Sequence, residues 1–155
     1  MTSESAPFTL HDFVPAHLPE LVDLWVSSWQ AAMPAINFEA RRDWFLGHLK
    51  SLQQADAQVV CAFDRTGALA GFVTIAPATG HLDQLALTPR VWGSTAAAQL
   101  LSEAKQRSPM AIELDVNQDN LRAIRFYEKN GFVRTAERVN ARSGLKTWHY
   151  RWSSA

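Results

Sequence analysis

Apolar residues in the first third of the chain recur at three- and four-residue intervals, which is the period of an amphipathic helix. This pattern predicts a helix over Pro15–Met33, and Asn37 is expected to cap a second helix whose buried stripe runs to Leu52. The segment Phe8–Phe13 is predicted to be an edge strand, and residues 1–6 are expected to be disordered. The chain therefore begins with a strand and two helices.

After the second helix the pattern changes to that of strands, with β-branched and aromatic residues between Pro, Gly and Asn turn signals. Two further helices interrupt the strands, and Gly131 is expected to end the second of them in a left-handed conformation. The predicted strands are Gln58–Phe63, Ala68–Ala76, Gly80–Leu87, Ala111–Val116, Phe132–Asn140 and Lys146–Trp152, and the predicted helices are Thr95–Arg107 and Leu121–Asn130.

The predicted order of elements is β α α β β β α β α β β. Antiparallel hairpins and a parallel crossover in this order indicate an α/β (α+β) fold with a mixed, mostly antiparallel sheet of about seven strands flanked by about four helices. A length of 155 residues is typical of one domain, so residues 1–155 are predicted to form a single domain.

Charge and hydropathy exclude two classes of partner. Fifteen Lys and Arg balance fifteen Asp and Glu, so the formal net charge is zero and no global field attracts polyanions. Nucleic acid is therefore not an expected partner. No apolar run approaches the ~20 residues that span a bilayer, and the first residues do not resemble a signal peptide, so we expect neither membrane insertion nor secretion.

Cysteine and histidine usage bears on disulfides and metals. Cys61 is the only cysteine, which excludes an intramolecular disulfide and a cysteine-based zinc site and fits a reducing cytoplasm. The histidines show no close ligand spacing, so no metal is expected. They are His11, His17, His48, His81 and His149.

Two strand-to-helix junctions carry the candidate chemistry. The first reads LALTP from Leu85 and continues as WGSTAAAQLL from Trp92; the second reads LDVNQDNLRAIRFYEKNGF from Leu114 to Phe132. Together they resemble the GNAT superfamily of N-acetyltransferases, which transfer acetyl from acetyl-CoA to an amine. The order of elements also matches that family. The resemblance covers nearly the whole chain and implies a GNAT-like fold.

The first motif departs from the family pattern, which is Gln or Arg, two residues, Gly, one residue, then Gly or Ala. Trp92 replaces the polar residue, and Thr95 replaces the first glycine. A β-branched Thr disfavours unusual backbone angles, which predicts weaker cofactor binding unless the hydroxyls of Ser94 and Thr95 donate to phosphate. Taken alone, this segment also fits a simple turn before an Ala-rich helix. The resemblance implies that acetyl-CoA contacts Leu85, Ala86, Leu87, Trp92, Gly93, Ser94, Thr95, Ala96, Ala97, Asn120, Ala123 and Tyr127.

The second motif places Asn120, Ala123 or Ile124, and Tyr127 on one helix face, with Asn120 and Tyr127 about 10 Å apart along the axis. The resemblance implies that Asn120 binds the pantetheine or pyrophosphate region and that Tyr127 lies near the sulfur. A phenol has a pKa of about 10 and stays protonated at neutral pH, so Tyr127 is the predicted proton donor to the leaving thiolate. The alternative is purely structural, with Asn120 as an N-cap and Tyr127 as an anchor.

The acceptor amine must lose a proton before it attacks. Members of the family often have a carboxylate at the position of Asp83, so Asp83 is the predicted general base, and His81 on the same strand is a second candidate with a better unperturbed pKa. Both also fit solvated residues of a half-exposed strand. The resemblance further implies that the backbone N–H of Leu87 polarises the thioester carbonyl.

The acceptor side is predicted from the fold that the resemblance implies, in which the first two helices and the last hairpin flank the substrate. Aromatic residues at helical spacing are more often core than pocket, and we assign Trp25 to the core. The candidate substrate-binding residues are Trp29, Met33, Phe38, His81, Asn140 and Arg142.

Three interpretations of the chain follow. The first is an N-acetyltransferase, cytoplasmic and monomeric or homodimeric, in which a small-molecule or peptide amine attacks acetyl-CoA directly; Cys61 lies in an apolar strand and looks too buried to carry an acyl group. The second is a non-catalytic CoA-binding regulatory domain, favoured by the departures at Trp92 and Thr95. The third is an interaction module, which would leave the second motif as coincidence.

Overall fold

The fold, given by a computed structural model, is described for residues 7–154, so the expectation for residues 1–6 lies outside the described residues. The predicted order of elements and fold class are confirmed. The described strands are β1 Thr9–Asp12, β2 Gln58–Phe63, β3 Leu69–Ala76, β4 His81–Leu87, β5 Ala111–Asn117, β6 Val133–Val139 and β7 Lys146–Ser153, and the helices are α1 Leu18–Ala32, α2 Arg42–Gln54, α3 Ala96–Arg107 and α4 Leu121–Lys129.

The seven strands form one sheet in the order β1-β2-β3-β4-β5-β7-β6. Strands β1 to β4 are antiparallel neighbours, as are β5, β7 and β6, and the two blocks meet where β4 runs parallel to β5. Within the described residues this junction pairs at one position, His81 opposite Glu113, where the Glu113 N–H donates to the Gly80 carbonyl at 2.9 Å. The strands diverge beyond it and open a gap between their C-terminal ends.

Apolar residues cover both faces of the sheet. On one face, Leu100 and Leu101 of α3 pack with Ile112 of β5 in a fully buried cluster. On the other face, α1 and α2 contribute a second cluster that contains Trp25 and Phe45. Each helix presents its apolar stripe to the sheet, which is why the helical period predicts them. Trp25 lies in the core, as predicted.

The largest difference from the predicted elements is the start of the second helix. The Asn37 side chain accepts a hydrogen bond from the Ala40 N–H at 3.3 Å, but Phe38 is the N-cap of the 3-10 turn Glu39–Arg41, and α2 begins only at Arg42. The prediction that Asn37 caps the second helix is therefore wrong, because a 3-10 turn separates Asn37 from α2. Gly131 has a φ of 92° and ends α4 in the left-handed conformation, as predicted.

Candidate functional site

A cavity of about 310 Å³ lies where β4 and β5 diverge. It is walled by both strands, by α1, α2 and α4, and by the loop between β6 and β7. All six predicted substrate-binding residues line it, together with Asp83, Leu85, Ala123 and Tyr127. The other predicted cofactor-binding residues lie outside the cavity, namely Ala86, Leu87, Asn120 and the segment Trp92–Ala97.

The edge of β4 presents main-chain groups to the gap. The Thr88 N–H donates to the Ala70 carbonyl, so Leu87 stands opposite Gly71 in a non-hydrogen-bonded pair. The N–H and C=O groups of Leu87 therefore point away from β3, and those of Leu85, two residues earlier, point the same way. Because β5 has already diverged, this part of β4 has no neighbouring strand on that side within the described residues, and the Leu87 carbonyl accepts from the Trp92 indole instead.

The loop before α3 takes its special backbone angle at Gly93, with a φ of 84°. Thr95 has φ −79° and ψ −2°, an ordinary right-handed conformation. The expected backbone strain at Thr95 is therefore absent, because the residue that needs glycine is Gly93. The Thr95 hydroxyl donates to the Gln99 side chain at 3.3 Å.

Main-chain donors are exposed at the start of α3. The Ser94 hydroxyl oxygen accepts a hydrogen bond from the Ala96 N–H at 3.2 Å. The N–H groups of Thr95, Ala97 and Ala98 have no acceptor among residues 7–154. Unpaired N–H groups at a helix N-terminus, together with the positive end of the helix dipole, form an anion-binding site.

The Trp92 side chain connects the loop before α3 to β4 and to α4. Its indole N–H donates to the Leu87 carbonyl at 3.2 Å, and the Arg122 guanidinium lies over its ring at 3.5 Å. Arg122 makes no ion pair within the described part of the chain, and desolvation lowers its pKa. A cation without an ion-pair partner therefore stands beside the loop before α3. Sequence reasoning missed Arg122.

Tyr127 and Asn120 occupy the α4 face predicted for them. Tyr127 is 7% exposed and packs edge-on against Phe126 and Phe132, each with ring centres 5.4 Å away. Its hydroxyl has no hydrogen-bond partner among the described residues, and burial raises its pKa, so the phenol is protonated at neutral pH. Asn120 caps α4 by accepting from the Ala123 N–H at 3.3 Å.

Asp83 lies at an irregularity of β4. The register shifts so that Gln84 faces Thr74 and Leu82 faces Ile75, which leaves Asp83 without an opposite residue on β3. Such a bulge re-aims a side chain. The Asp83 carboxylate accepts hydrogen bonds from Nε2 of His48 at 2.6 Å, Nε2 of Gln84 at 2.8 Å and Nε2 of His81 at 3.4 Å.

These contacts set the protonation of the cluster. Burial by itself raises the pKa of Asp83, but the hydrogen bonds from its partners outweigh burial and hold that pKa well below its usual range. The hydrogen bond to Asp83 also raises the pKa of His81, against the opposing effect of burial. The cluster therefore couples an ionised carboxylate to a histidine that stays protonated to a higher pH than usual.

His48 is the partner of Asp83 that sequence reasoning missed. It lies on α2, 35 positions away from Asp83, and its ring stacks on Trp44 at 4.6 Å. The one local signal was the spacing of Trp44 and His48 by four residues, which puts both on one helix face. Gln84 joins the cluster to the core by accepting from the Trp25 indole at 3.2 Å.

The acceptor side of the cavity is aromatic and contains two arginines. Trp29 stacks on Phe38 with ring centres 5.7 Å apart. Arg142, from the loop between β6 and β7, lies over Trp44 at 3.3 Å, and Arg41 lies over Phe38 at 5.2 Å. Arg142 was predicted, whereas Arg41 and Trp44 were not.

Cys61 does not reach the cavity. It is fully buried in β2, and burial, the largest cause, raises the pKa of its thiol to about 12. Across residues 7–154, no helix is long and apolar enough to cross a membrane, and no group of three or more His, Cys, Asp or Glu side chains is arranged to hold a metal ion.

Comparison with known proteins gives the family. A profile of the Acetyltransferase (GNAT) family matches residues 18–132. No curated protein matches the chain significantly.

Several solved structures share the fold. A GCN5-related N-acetyltransferase from Rhodopseudomonas palustris has a TM-score of 0.76 at 18% identity, over 99% of each chain. The PaiA N-acetyltransferase from Thermoplasma acidophilum, in complex with coenzyme A, has a TM-score of 0.74 at 19% identity, over 94% of this chain and 98% of PaiA. YncA from Salmonella typhimurium, with its cofactor acetyl-CoA, has a TM-score of 0.66 at 13% identity, over 96% of this chain and 95% of YncA. Because the family profile covers most of its length, this chain belongs to the GNAT acetyltransferase family and is an acyltransferase.

Proposed function

We propose that the protein transfers acetyl from acetyl-CoA to a primary amine of a small molecule or peptide, by direct attack in a ternary complex. The observation that carries the proposal is one cavity lined both by the Tyr127 phenol and by Asp83 with its histidine partners. Acetyl transfer to an amine needs a proton donor and a proton acceptor in the same confined space. We expect the protein to act in the cytoplasm, as a monomer or homodimer.

The residues present fit acetyl-CoA. The unpaired N–H groups at the start of α3 and the Arg122 cation suit the pyrophosphate. The open β4 edge at Leu85 and Leu87 suits an extended ligand with amide groups, which binds in the manner of an added strand. When bound, acetyl-CoA supplies an activated carbonyl carbon and a thiolate leaving group.

The acceptor enters as an ammonium and loses a proton to expose its lone pair. Of the two predicted bases, the neutral form of His81 fits this task better, because the pKa of Asp83 is held well below its usual range and a strongly ionised carboxylate is a weak base. Asp83 would then act through the histidine that it binds. We propose that Asp83 and His81 work as a pair, oriented further by His48.

The reaction makes one bond and breaks one bond, and every proton is accounted for. The amine nitrogen forms a bond to the carbonyl carbon, and the carbon–sulfur bond breaks. The amide product keeps one nitrogen proton; one of the other two passes to the Asp83–His81 pair, and the other replaces the proton that Tyr127 gives to the thiolate. The Leu87 N–H, which points into the gap, would stabilise the developing oxyanion.

Two features bear on alternative functions. The burial of Cys61 supports direct attack over an acyl-enzyme. The departures at Trp92 and Thr95 favour a CoA-binding regulatory domain as a second candidate. That domain would bind acetyl-CoA and release no CoA with any amine.

The first experiment is calorimetric titration with acetyl-CoA at fixed salt. Gly93→Glu places a charged side chain in the anion-binding loop at a φ of 84°, and we expect it to abolish micromolar binding. Gly67→Glu is the matched control, because it carries the same charge at a φ of 86° in the turn between β2 and β3. Equal binding by both variants, or none by the folded wild-type protein, would contradict the proposed cofactor site.

A further inference from the structure

Two arginines at the acceptor side of the cavity lack acidic partners. Arg41 and Arg142 line the cavity, and neither makes an ion pair with any described residue. Each guanidinium instead lies over a cavity aromatic ring, Arg41 over Phe38 and Arg142 over Trp44. Rings hold the two cations in place without neutralising them.

Arg42, next to Arg41 in the sequence, does have acidic partners. Arg42 binds Asp23 at 2.6 Å and Glu39 at 2.7 Å, so its charge is fully matched. Arg41 and Arg142 repel each other, and desolvation together with this repulsion lowers the pKa of Arg142. Neither guanidinium has a carboxylate within ion-pair distance among the described residues, so both charges are available to an anion from outside.

The same cavity also contains negative charge. Asp83 lies inside it, and its attraction for Arg142 partly offsets the repulsion between the two arginines. Asp115 also lines the wall. Trp29 and Met33 add an apolar surface to the same lining. A ligand that matches this lining carries a cationic group, an anionic group and an apolar part.

We infer that the acceptor is an amine that also carries a carboxylate, of the class of α-amino acids or short peptides with an apolar side chain. Its ammonium faces Asp83 and His81, and its carboxylate is bound by Arg41 and Arg142. This inference rests on the proposed acetyl transfer. Polyamines are excluded as good acceptors, since their second cation would meet the two arginines.

The first test is a panel of free amino acids, their carboxamides and spermidine, with CoA release as the readout. Each amino acid and its carboxamide differ only in the carboxylate. We expect the best amino acid to exceed its carboxamide about 10- to 10²-fold in kcat/KM. This ratio corresponds to the usual free energy of a hydrogen bond to a charged group. A carboxamide or spermidine as the best acceptor would overturn the inference.

Charge variants make the test specific to the two arginines. Arg142→Gln and Arg41→Gln should each raise KM for the amino acid about 10-fold and leave its carboxamide unchanged. Arg142→Glu should reverse the preference in favour of spermidine. Arg65→Gln is the control, because it removes one positive charge in the turn between β2 and β3. Equal losses for amino acid and carboxamide in the cavity variants would contradict carboxylate recognition.

A binding measurement separates this inference from the proposed function. Trp29 and Trp44 line the cavity, so an amino acid bound there should change the tryptophan fluorescence without acetyl-CoA, and its carboxamide should not. Binding without CoA release would support the carboxylate site and contradict acetyl transfer. Release of CoA with amines that lack a carboxylate would support acetyl transfer and overturn the carboxylate site. Neither binding nor release with any amino acid would also overturn it.

Discussion

The candidate site has two halves, one at the start of α3 and along β4 and one in the cavity, and they are built from different kinds of group. On the side of α3, the main functional groups belong to the backbone: the N–H groups of Thr95, Ala97 and Ala98 and the open edge of β4. On the side of α1 and α2, they are side chains that come from distant parts of the sequence, such as Arg41 and Arg142.

This difference explains what substitutions each half tolerates. A backbone N–H survives any side-chain change that keeps the local conformation, which is why Thr95 can stand in a glycine position. A site made of side chains changes its ligand whenever one of them changes. The first half therefore suits a cofactor that the whole family shares, and the second suits an acceptor that varies.

The largest expected effect is at Tyr127, a side chain that lies where the two halves meet. Tyr127→Phe removes the proposed proton donor and should lower turnover about 10²- to 10⁴-fold with acetyl-CoA affinity nearly unchanged. Steady-state kinetics and calorimetry measure the two quantities. Tyr150→Phe is the control, since that hydroxyl binds Glu128. Unchanged turnover in Tyr127→Phe would remove the acid role.

A smaller effect is expected at Asp83, in the half made of side chains. Asp83→Asn should reduce kcat/KM about 10²-fold at neutral pH, with partial recovery at high pH, where free amine becomes abundant. It also removes the carboxylate that raises the pKa of His81, so the acidic limb of the profile should move to lower pH. A pH profile identical to the wild type would point to water as the base.

The smallest effect is expected in the half made of backbone groups. Thr95→Gly should leave the dissociation constant of acetyl-CoA within about 2-fold, and the free energy of unfolding within about 0.5 kcal/mol, because Thr95 is unstrained and its side chain does not cap α3. Calorimetry and denaturant unfolding test this. A clear tightening would mean that the methyl group crowds the cofactor, and a clear weakening would mean that the hydroxyl binds phosphate.

Periodicity and turn residues were sufficient to predict the order of elements and the fold class. Gly131 and Asn120 identified the ends of α4 because their side chains, or lack of one, act on the backbone within a few residues. Asn37 failed as a marker of α2 because a 3-10 turn, with Phe38 as its N-cap, lies between Asn37 and the helix. That residues 1–155 form one domain stays a prediction.

Local patterns could not predict side-chain contacts across the sheet. His48 on α2 meets Asp83 on β4 through a tertiary contact, and nothing in the residues around either position reports that contact. Arg122 was missed for the same reason, since its partner Trp92 lies on another element. The roles proposed for Asp83, His81 and Tyr127 stay predictions until the variants are measured.

Within the described residues, a single bridge joins the two blocks of the sheet at β4 and β5. The Glu113 amide takes part in it by donating to the Gly80 carbonyl, so its hydrogen exchange reports on breathing of the junction. A ligand that contacts both β4 and α4 would connect them across the gap and reduce breathing of the junction. Slower hydrogen exchange at the Glu113 amide after addition of acetyl-CoA would therefore show that the site is occupied, although Glu113 itself does not line the cavity.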